Sequence, residues 1–518
     1  MTGAEKLSIL PTALLALAAT LGYAIDSAGF GVTPVPVFLL SLIAASFLVW
    51  SAPESTRSSR GEAVAWAGIV LFVLTVVIRT AWPALLPPGR GPDLAHHLLL
   101  VDYIEHNGHL VHDRALEGAM GEMAHYTPGA HLLAVLSGKW LGTDGLRAFF
   151  PLLAFGSALT AGYLFLIARR LLLPMPYAVA AVLLLFLPVQ YFYGAFTHDS
   201  FLAQAAATFF AVSAWWACIA WDQDRSNYYA IVISIFLVAV FLTWPVFVGP
   251  LAVMFAVLSR ARPGHMAIAL APTLILALIH VTGRWGWVGI VRTSGAVLAP
   301  GTETLGWLFP ALALIGLLIS ARHREARVSL ILLLLIAVQA LTLFVLARAN
   351  SASTPYMAFK MMYLAVYPMA MFGAIALGRL RSTTLGWILA SVLIVAAVRP
   401  ALMAPRVLPI VTLDLYEAGT WVRTNLGQGC VDYLVGDAET AYWLHLAVLG
   451  NSRSSARADE MDRYDPRSAV GPWLTAGGRG YAIADARTLP DEVRSRVEIE
   501  KQFGNALVIK RPGAVTCR

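Results

Sequence analysis

The stretch GPDLAHHLLLVDYIEHNGHLVHD, Gly91 to Asp113, holds five of the chain's 12 histidines and four carboxylates, Asp93, Asp102, Glu105 and Asp113. Asp93, His96, His97 and Leu100 are spaced i, i+3, i+4 and i+7, so a helix here puts them on one face. Asp93 stands at the start of that helix, where a carboxylate caps free backbone N–H groups and meets the positive end of the helix dipole. Two readings are open for it: a helix cap, or a base or metal ligand at a membrane surface. Counted to His131, seven of the 12 histidines (His96, His97, His106, His109, His112, His125 and His131) fall within 36 residues. Imidazoles in such density can bind metal, hydrogen-bond hydroxyls, or pass protons near neutral pH. His106, His109 and His112 run i, i+3, i+6, but Gly108 interrupts the helix between them. With no HExxH or CxxC motif, a structural zinc site is unsupported. A divalent cation (Mg or Mn) held by Asp93, Asp199 and His198 is the metal arrangement the residues allow. Asp102, Glu105, Asp113 and the other histidines of the stretch are expected on the solvated side of the loop.

The elements that must position these groups are membrane helices. Of 518 residues, 58% are hydrophobic and 13% charged, with mean hydropathy +0.70; soluble domains carry about 25% charged residues. Apolar runs occupy 8–25, 33–51, 63–83, 146–168, 176–193, 199–221, 228–243, 245–259, 266–283, 306–320, 328–348, 357–378 and 383–400. The expected fold is therefore a polytopic α-helical membrane protein with about 11–14 transmembrane helices. The pair 228–259, broken by TWP, is either two spans or a kinked or re-entrant pair. The net charge of +7 is no nucleic-acid signal, because the arginines sit in short loops. With the N-terminus in the cytoplasm, Arg57, Arg60, Arg169, Arg170, Arg225, Arg260, Arg262, Arg322, Arg324, Arg327, Arg379 and Arg381 all fall on the cytoplasmic side, as the positive-inside rule requires. The loop 84–145 then lies outside, and so does the chain beyond residue 403. The first apolar run reads as a retained span rather than a cleaved signal. The domain reading is thus a transmembrane part, 1–403, whose outer loop 84–145 carries the site, and a small extracytoplasmic α/β domain, 404–518. In the latter, LDLYEAGTWVRTNLG and AETAYWLHLAVLG read as helices, and CVDYLVG, RGYAIAD and NALVIKR as strands. NSRSSARADEMDRYDPRS reads as a mobile loop. Cys430 and Cys517 could pair if this part faces an oxidising compartment.

An Asp just after a span, followed by His and aromatic residues on a short helix in a large outer loop, resembles the GT-C superfamily of membrane glycosyltransferases. These include oligosaccharyltransferases, protein mannosyltransferases and mycobacterial arabinofuranosyltransferases. GPDLAHHLLLVDYIEHNG is the matching piece. HYTPGAHLLAVLSGKWLG, from His125, is similar to the Tyr-Pro-Pro-Gly-x-His segment of bacterial members, and the polar tail resembles their outer domain. Here the acidic site is a lone Asp, and it follows the third span rather than the first. The resemblance implies a sugar moved from a polyprenyl-phosphate donor to a glycan, lipid or protein acceptor of the cell envelope, at the outer face of the plasma membrane. On that reading Asp93 is the base, His96 and His97 assist it, and Asp199 is a second carboxylate; the competing role of Asp199 is a helix cap. Cations that could hold the donor phosphate are Arg284, Arg292, Arg348 and Lys360. Lys360 lies inside a span, where a charge is costly and marks function unless the side chain snorkels to the interface. Tyr356, Lys360, Tyr363 and Tyr367 run at i, i+4, i+7 and i+11, one polar-aromatic stripe that suits a prenyl-phosphate groove or an ordinary aromatic belt. Tyr126, His131 and Glu303 are the acceptor-side candidates.

Three other classes compete. A transporter or flippase for a lipid-linked glycan should show repeats and broken helices at the membrane midplane, whereas here the polar residues gather on one face. A His-rich metal or haem protein should place paired histidines within spans, and only His280 and His131 approach one. A non-catalytic scaffold would keep full function with Asp93→Ala.

Overall fold

The computed structural model describes residues 1–54, 60–89, 91–283, 295–380, 384–403, 406–407, 409–426, 430–455, 470–474 and 479–514. Three helices precede the long loop: α1 (Gly3–Ser27), α2 (Pro34–Trp50) and α3 (Arg60–Ala81). The loop carries α4 (Pro92–Asn107) and α5 (Gly129–Leu141). Ten helices follow: α6 (Gly145–Arg170), α7 (Met175–Leu184), α8 (Leu202–Asp224), α9 (Asn227–Thr243), α10 (Val248–Ser259), α11 (Pro263–Gly283), α12 (Leu308–Ser320), α13 (Arg327–Ala349), α14 (Met362–Leu380) and α15 (Thr384–Met403). Each of the thirteen apolar runs falls on one of these helices. Among the described residues seven helices are long and apolar enough to cross a membrane, and five shorter apolar helices accompany them. Two runs depart from a plain span. The run 176–193 is helical only to Leu184, because Pro188 cannot continue a helix and the chain turns into a short 3-10 segment, Val189–Tyr191. The TWP break leaves Trp244 extended between α9 and a 3-10 turn, Pro245–Phe247, that leads into α10.

Helix α8 is the central post. Trp215, Trp216 and Trp221 on it are fully buried, as are Tyr163 and Phe165 on α6, so the middle of the bundle is filled by large rings. The outer helices turn leucines, isoleucines and valines such as Ile43, Leu278, Leu341 and Val395 to the surroundings. In a bilayer such faces need no cover, and packing and polar anchors hold the bundle. The anchors at the end opposite the long loop are ion pairs: Arg169 with Glu62, Arg170 with Glu5, and Arg225 and Arg327 with Asp222. Arginines thus cluster at this end.

Beyond the bundle lie α16 (Leu413–Asn425), capped by the Thr412 side chain, and α17 (Ala438–Trp443), capped by Asp437 and continued by a π-helical turn, Leu444–Val448. A four-stranded sheet has the order β1-β2-β4-β3, with β1 (Val431–Leu434) parallel to β2 (Tyr481–Asp485). The strands β3 (Glu498–Phe503) and β4 (Ala506–Lys510) complete it antiparallel. The three strands expected from the sequence are β1, β2 and β4. The fourth, β3, is an exposed edge strand, EIEKQF, that buries no face and so shows no apolar alternation. Most of NSRSSARADEMDRYDPRS lies outside the described residues. Helix α17 and its π-turn pack directly on α4, so this C-terminal part braces the helix whose first turn carries Asp93.

Candidate active site

Two close backbone approaches bring the parts of the site together. Gly89, in the PPGRGPD approach to α4, lies so near Ser200 that an added Cβ would come within 2.2 Å of its Oγ. The chain ahead of Asp93 therefore rests on the residue after Asp199. Gly129, in HYTPGAH, sits on the Leu242 carbonyl, which an added Cβ would approach to 2.7 Å, and Thr127 Oγ1 donates to the Thr243 carbonyl at 3.4 Å. That seats Tyr126 beside Trp244 at the end of α9, with His131 edge-on to Tyr126.

At the centre is Lys360, in the turn Tyr356–Lys360 that precedes α14. Its residue is 5% exposed. Its Nζ stands over three rings, 3.9 Å from the centroid of Phe201, 4.3 Å from Tyr356 and 4.9 Å from Trp244. Among the described residues it has no hydrogen bond and no ion pair. Asp93 and Asp199 are near enough for their charges to act on it. Rings favour an ammonium electrostatically, but they leave its three donors unfilled, and a buried donor without an acceptor is costly.

Asp93 is exposed in the first turn of α4, and its charge also reaches Tyr356 and Tyr126. Asp199 is half-buried and accepts a hydrogen bond from Tyr363 at 2.8 Å. Burial raises its pKa, against the opposing hydrogen bond from Tyr363 and the charges of His198 and Lys360. Tyr363 packs in turn against Tyr191 and Phe201, with centroids 4.9 Å and 5.4 Å apart.

His97 and His131 face one another, Nδ1 to Nε2, at 2.9 Å. Both are buried. Burial, reinforced by the charge of Lys360, pushes His97 down to about 3. Burial and His97 together push His131 well below its ordinary value. Two imidazoles that share one hydrogen bond must divide it as donor and acceptor, so they cannot both be protonated, and burial disfavours the charge on either. Tyr126 stands edge-on to each ring, 5.2 Å from His97 and 5.7 Å from His131 by centroids, and 5.9 Å from Trp244.

His96 points elsewhere. Its Nδ1 lies 2.6 Å from Glu122 and its Nε2 2.8 Å from the hydroxyl of Tyr442 on α17. Glu122 also pairs with Arg453. Burial alone would raise Glu122, but its bond to His96 and the charges of His96 and Arg453 hold it well below the usual carboxylate range. His96 therefore ties α4 to the C-terminal part instead of turning toward Asp93.

Two of the carboxylates expected on the solvated side of the loop are inside. Asp102 is 3% exposed and pairs with Arg423 of α16 at 2.5 Å and with His106 at 3.1 Å. Glu105 accepts from Lys139 and from the Gly145 N–H, each at 2.7 Å. Their neighbours on α5, α6 and α16 are remote in sequence, so the periodicity of α4 could not show them. Asp113 is exposed, as expected. His109 and His112 both bond to the buried Asp26 of α1, at 3.2 Å and 2.5 Å, and His125 pairs with Glu117. Most of the histidine cluster thus fastens the loop.

Of the other candidates, His198 is exposed beside Asp199, and Glu303 is exposed. Arg348 is exposed and lies over Phe344 of its own helix. Arg284, Arg292 and Cys517 lie outside the described residues; Cys430 is disulfide-bonded. Among the described residues no three His, Cys, Asp or Glu side chains converge as a metal-binding group, and Asp93, Asp199 and His198 do not form one. Sequence reasoning missed Trp244, Phe201, Tyr191 and Glu122. Only Trp244 had a local signal, the TWP break between two apolar runs.

The neutrality of His97 sets an acid limit. Between about 3 and its ordinary 6.5 the unfolded chain binds a proton that the native site refuses. This contribution is complete above 6.5 and is lost as pH falls toward 3. Thermal unfolding in detergent should occur at a markedly lower temperature at pH 5 than at pH 7.5, and His97→Gln should narrow the gap. A melting temperature independent of pH over that window would contradict the neutral pair.

No protein-family model and no curated protein matches the sequence. Solved structures do. The chain is similar to the apo oligosaccharyltransferase of Archaeoglobus fulgidus, with TM-score 0.53 and 15% identity over 84% of this chain and 70% of that one. It also aligns with ArnT of Cupriavidus metallidurans bound to undecaprenyl phosphate, with TM-score 0.49 and 14% identity over 87% and 98%. A third match is the arabinofuranosyltransferase AftD from mycobacteria, with TM-score 0.48 and 17% identity over 89% of this chain and 38% of that one. The likeness to the oligosaccharyltransferase is one of fold.

Proposed function

We propose that the protein is a membrane glycosyltransferase that moves a sugar from a polyprenyl-phosphate donor to a hydroxyl-bearing acceptor, a glycan, lipid or protein of the cell envelope. The observation that carries this reading is Lys360: a buried ammonium, ringed by aromatic faces and lacking a protein acceptor among the described residues, at the start of a membrane span. An anionic headgroup whose lipid tail lies in the bilayer is the ligand that completes it, and charge-assisted bonds to phosphate oxygens are strong.

In the reaction the acceptor oxygen attacks the anomeric carbon. The bond from that carbon to the phosphate oxygen breaks, and its electron pair leaves on the phosphate, which Lys360 holds. The proton of the acceptor hydroxyl passes to Asp93. Asp199, oriented by Tyr363, supports the site from the other flank. Among the described residues no three-ligand metal group is supplied, and Lys360 puts positive charge beside both carboxylates, so no step is routed through a divalent ion.

The clustering of arginines at the opposite end supports a cytoplasmic N-terminus and a site on the outer face of the plasma membrane. The loop 84–145 and residues 404–518 are then extracytoplasmic, the latter bracing α4. The test is transfer by the purified full chain from a panel of polyprenyl-phosphate sugars, compared with Asp93→Ala. Transfer from at least one donor, lost in the variant, supports the reading. No transfer from any donor by intact wild type contradicts it.

A further inference from the structure

The two flanks of Lys360 are built differently. One carries charge: Asp199 held by Tyr363. The other is a wall of Trp244, Tyr126, His97 and His131, aromatic and hydrogen-bonding but without formal charge. Trp244 stands at the meeting point, its ring toward the Lys360 ammonium and toward Tyr126. It is 4% exposed, and its Nε1 is buried without a hydrogen-bond partner among the described residues. A buried indole N–H usually finds an acceptor. Gln204, one helical turn along α8 from Phe201, is 2% exposed, with both amide atoms likewise unpartnered.

We propose that this uncharged wall, with Trp244 at its centre, is the subsite for the transferred sugar, and that the sugar is a neutral pentose or hexose. The inference rests on the reading of Lys360 as the phosphate site, because the sugar is joined directly to that phosphate. Aromatic rings cover the C–H faces of a sugar, and neutral donors and acceptors match its hydroxyls. An amino sugar would bring a second cation beside Lys360. Two carboxylates do act on this flank, but Glu122 is committed to His96 and Arg453, and Asp93 is shared with Lys360. Among the described residues a uronate would have no cation of its own. The wall also moves Tyr126 and His131 from the acceptor side, where the sequence places them, to the donor.

The test is equilibrium binding of radiolabelled lipids to the detergent-solubilised full chain. The three probes are undecaprenyl phosphate, undecaprenyl-phosphoryl mannose and undecaprenyl-phosphoryl 4-amino-4-deoxyarabinose. Wild type should hold the neutral-sugar lipid about tenfold more tightly than the bare phosphate, as one or two added hydrogen bonds allow, and the amino-sugar lipid no better than the bare phosphate. Trp244→Phe keeps a ring over Lys360 and removes the N–H. It should erase most of that margin and leave undecaprenyl phosphate binding within about twofold of wild type, with Tyr126→Phe showing the same split. Equal losses for sugar-bearing and bare lipids, or preference for the amino sugar, overturn the sugar wall while leaving the phosphate site standing. Wild type that binds no undecaprenyl phosphate overturns both.

Discussion

Replacing Lys360 by methionine is expected to weaken binding of undecaprenyl phosphate by at least about a hundredfold, the usual consequence of removing one partner of a buried charge pair. Sugar transfer should fall below detection at any practical donor concentration. Methionine has a similar length and packs well on aromatic rings, so Phe201, Tyr356 and Trp244 keep a neighbour. A charge buried without an acceptor among the described residues is a cost to the fold, so the melting temperature of Lys360→Met should hold or rise as function is lost, the usual trade between activity and stability. Ligand binding and a thermal melt on the same preparation check both halves. A variant that melts early and still binds the lipid would make Lys360 a packing residue.

Asp93→Asn should leave undecaprenyl phosphate binding near wild type and lower the turnover rate by about 10²–10⁴, the range for loss of a positioned base. This substitution separates the two readings of Asp93. A carboxylate that only faced a helix N-terminus would contribute about 0.3–1 kcal/mol to stability, and its loss would leave turnover intact. Single-turnover rates with saturating donor give the comparison directly. Asp93 is exposed, and among the described residues no hydrogen bond or ion pair holds it in place, which suits a group that must meet a mobile acceptor.

The bundle was legible because lipid imposes length and apolarity, and each of the thirteen apolar runs ends on a helix. The site was legible in part. Asp93 and Lys360 stand out in sequence by being charges at the edge of apolar runs, and the two are in fact neighbours in electrostatic reach. What the sequence hides is pairing across the fold. Asp102 and Arg423 are 321 residues apart and His96 and Tyr442 are 346 apart. No periodicity links such residues, so Asp102 looked solvated and His96 looked like an assistant to Asp93. The histidine density misled for the same reason. His109 and His112 serve Asp26 of α1, whose carboxylate is buried at the end of an otherwise ordinary apolar helix. Phe201 was invisible, and Trp244 was marked only as a break between two apolar runs, because an aromatic residue at a span end is common in any membrane protein. Only the Lys360 ammonium between them marks these two.

The position of the donor phosphate decides the roles of Lys360, Asp93 and Asp199 together. A cryo-EM structure of the full chain with undecaprenyl phosphate bound would show it. The phosphorus is expected about 4 Å from Lys360 Nζ, as a charge-assisted bond requires, with Asp93 and Asp199 on its two sides and the prenyl chain running into the bilayer. A phosphate seated instead among Arg169 and Arg170, in the cleft of about 650 Å³ at the opposite end that they line with Glu5 and Glu62, and Lys360 left unoccupied, would contradict it.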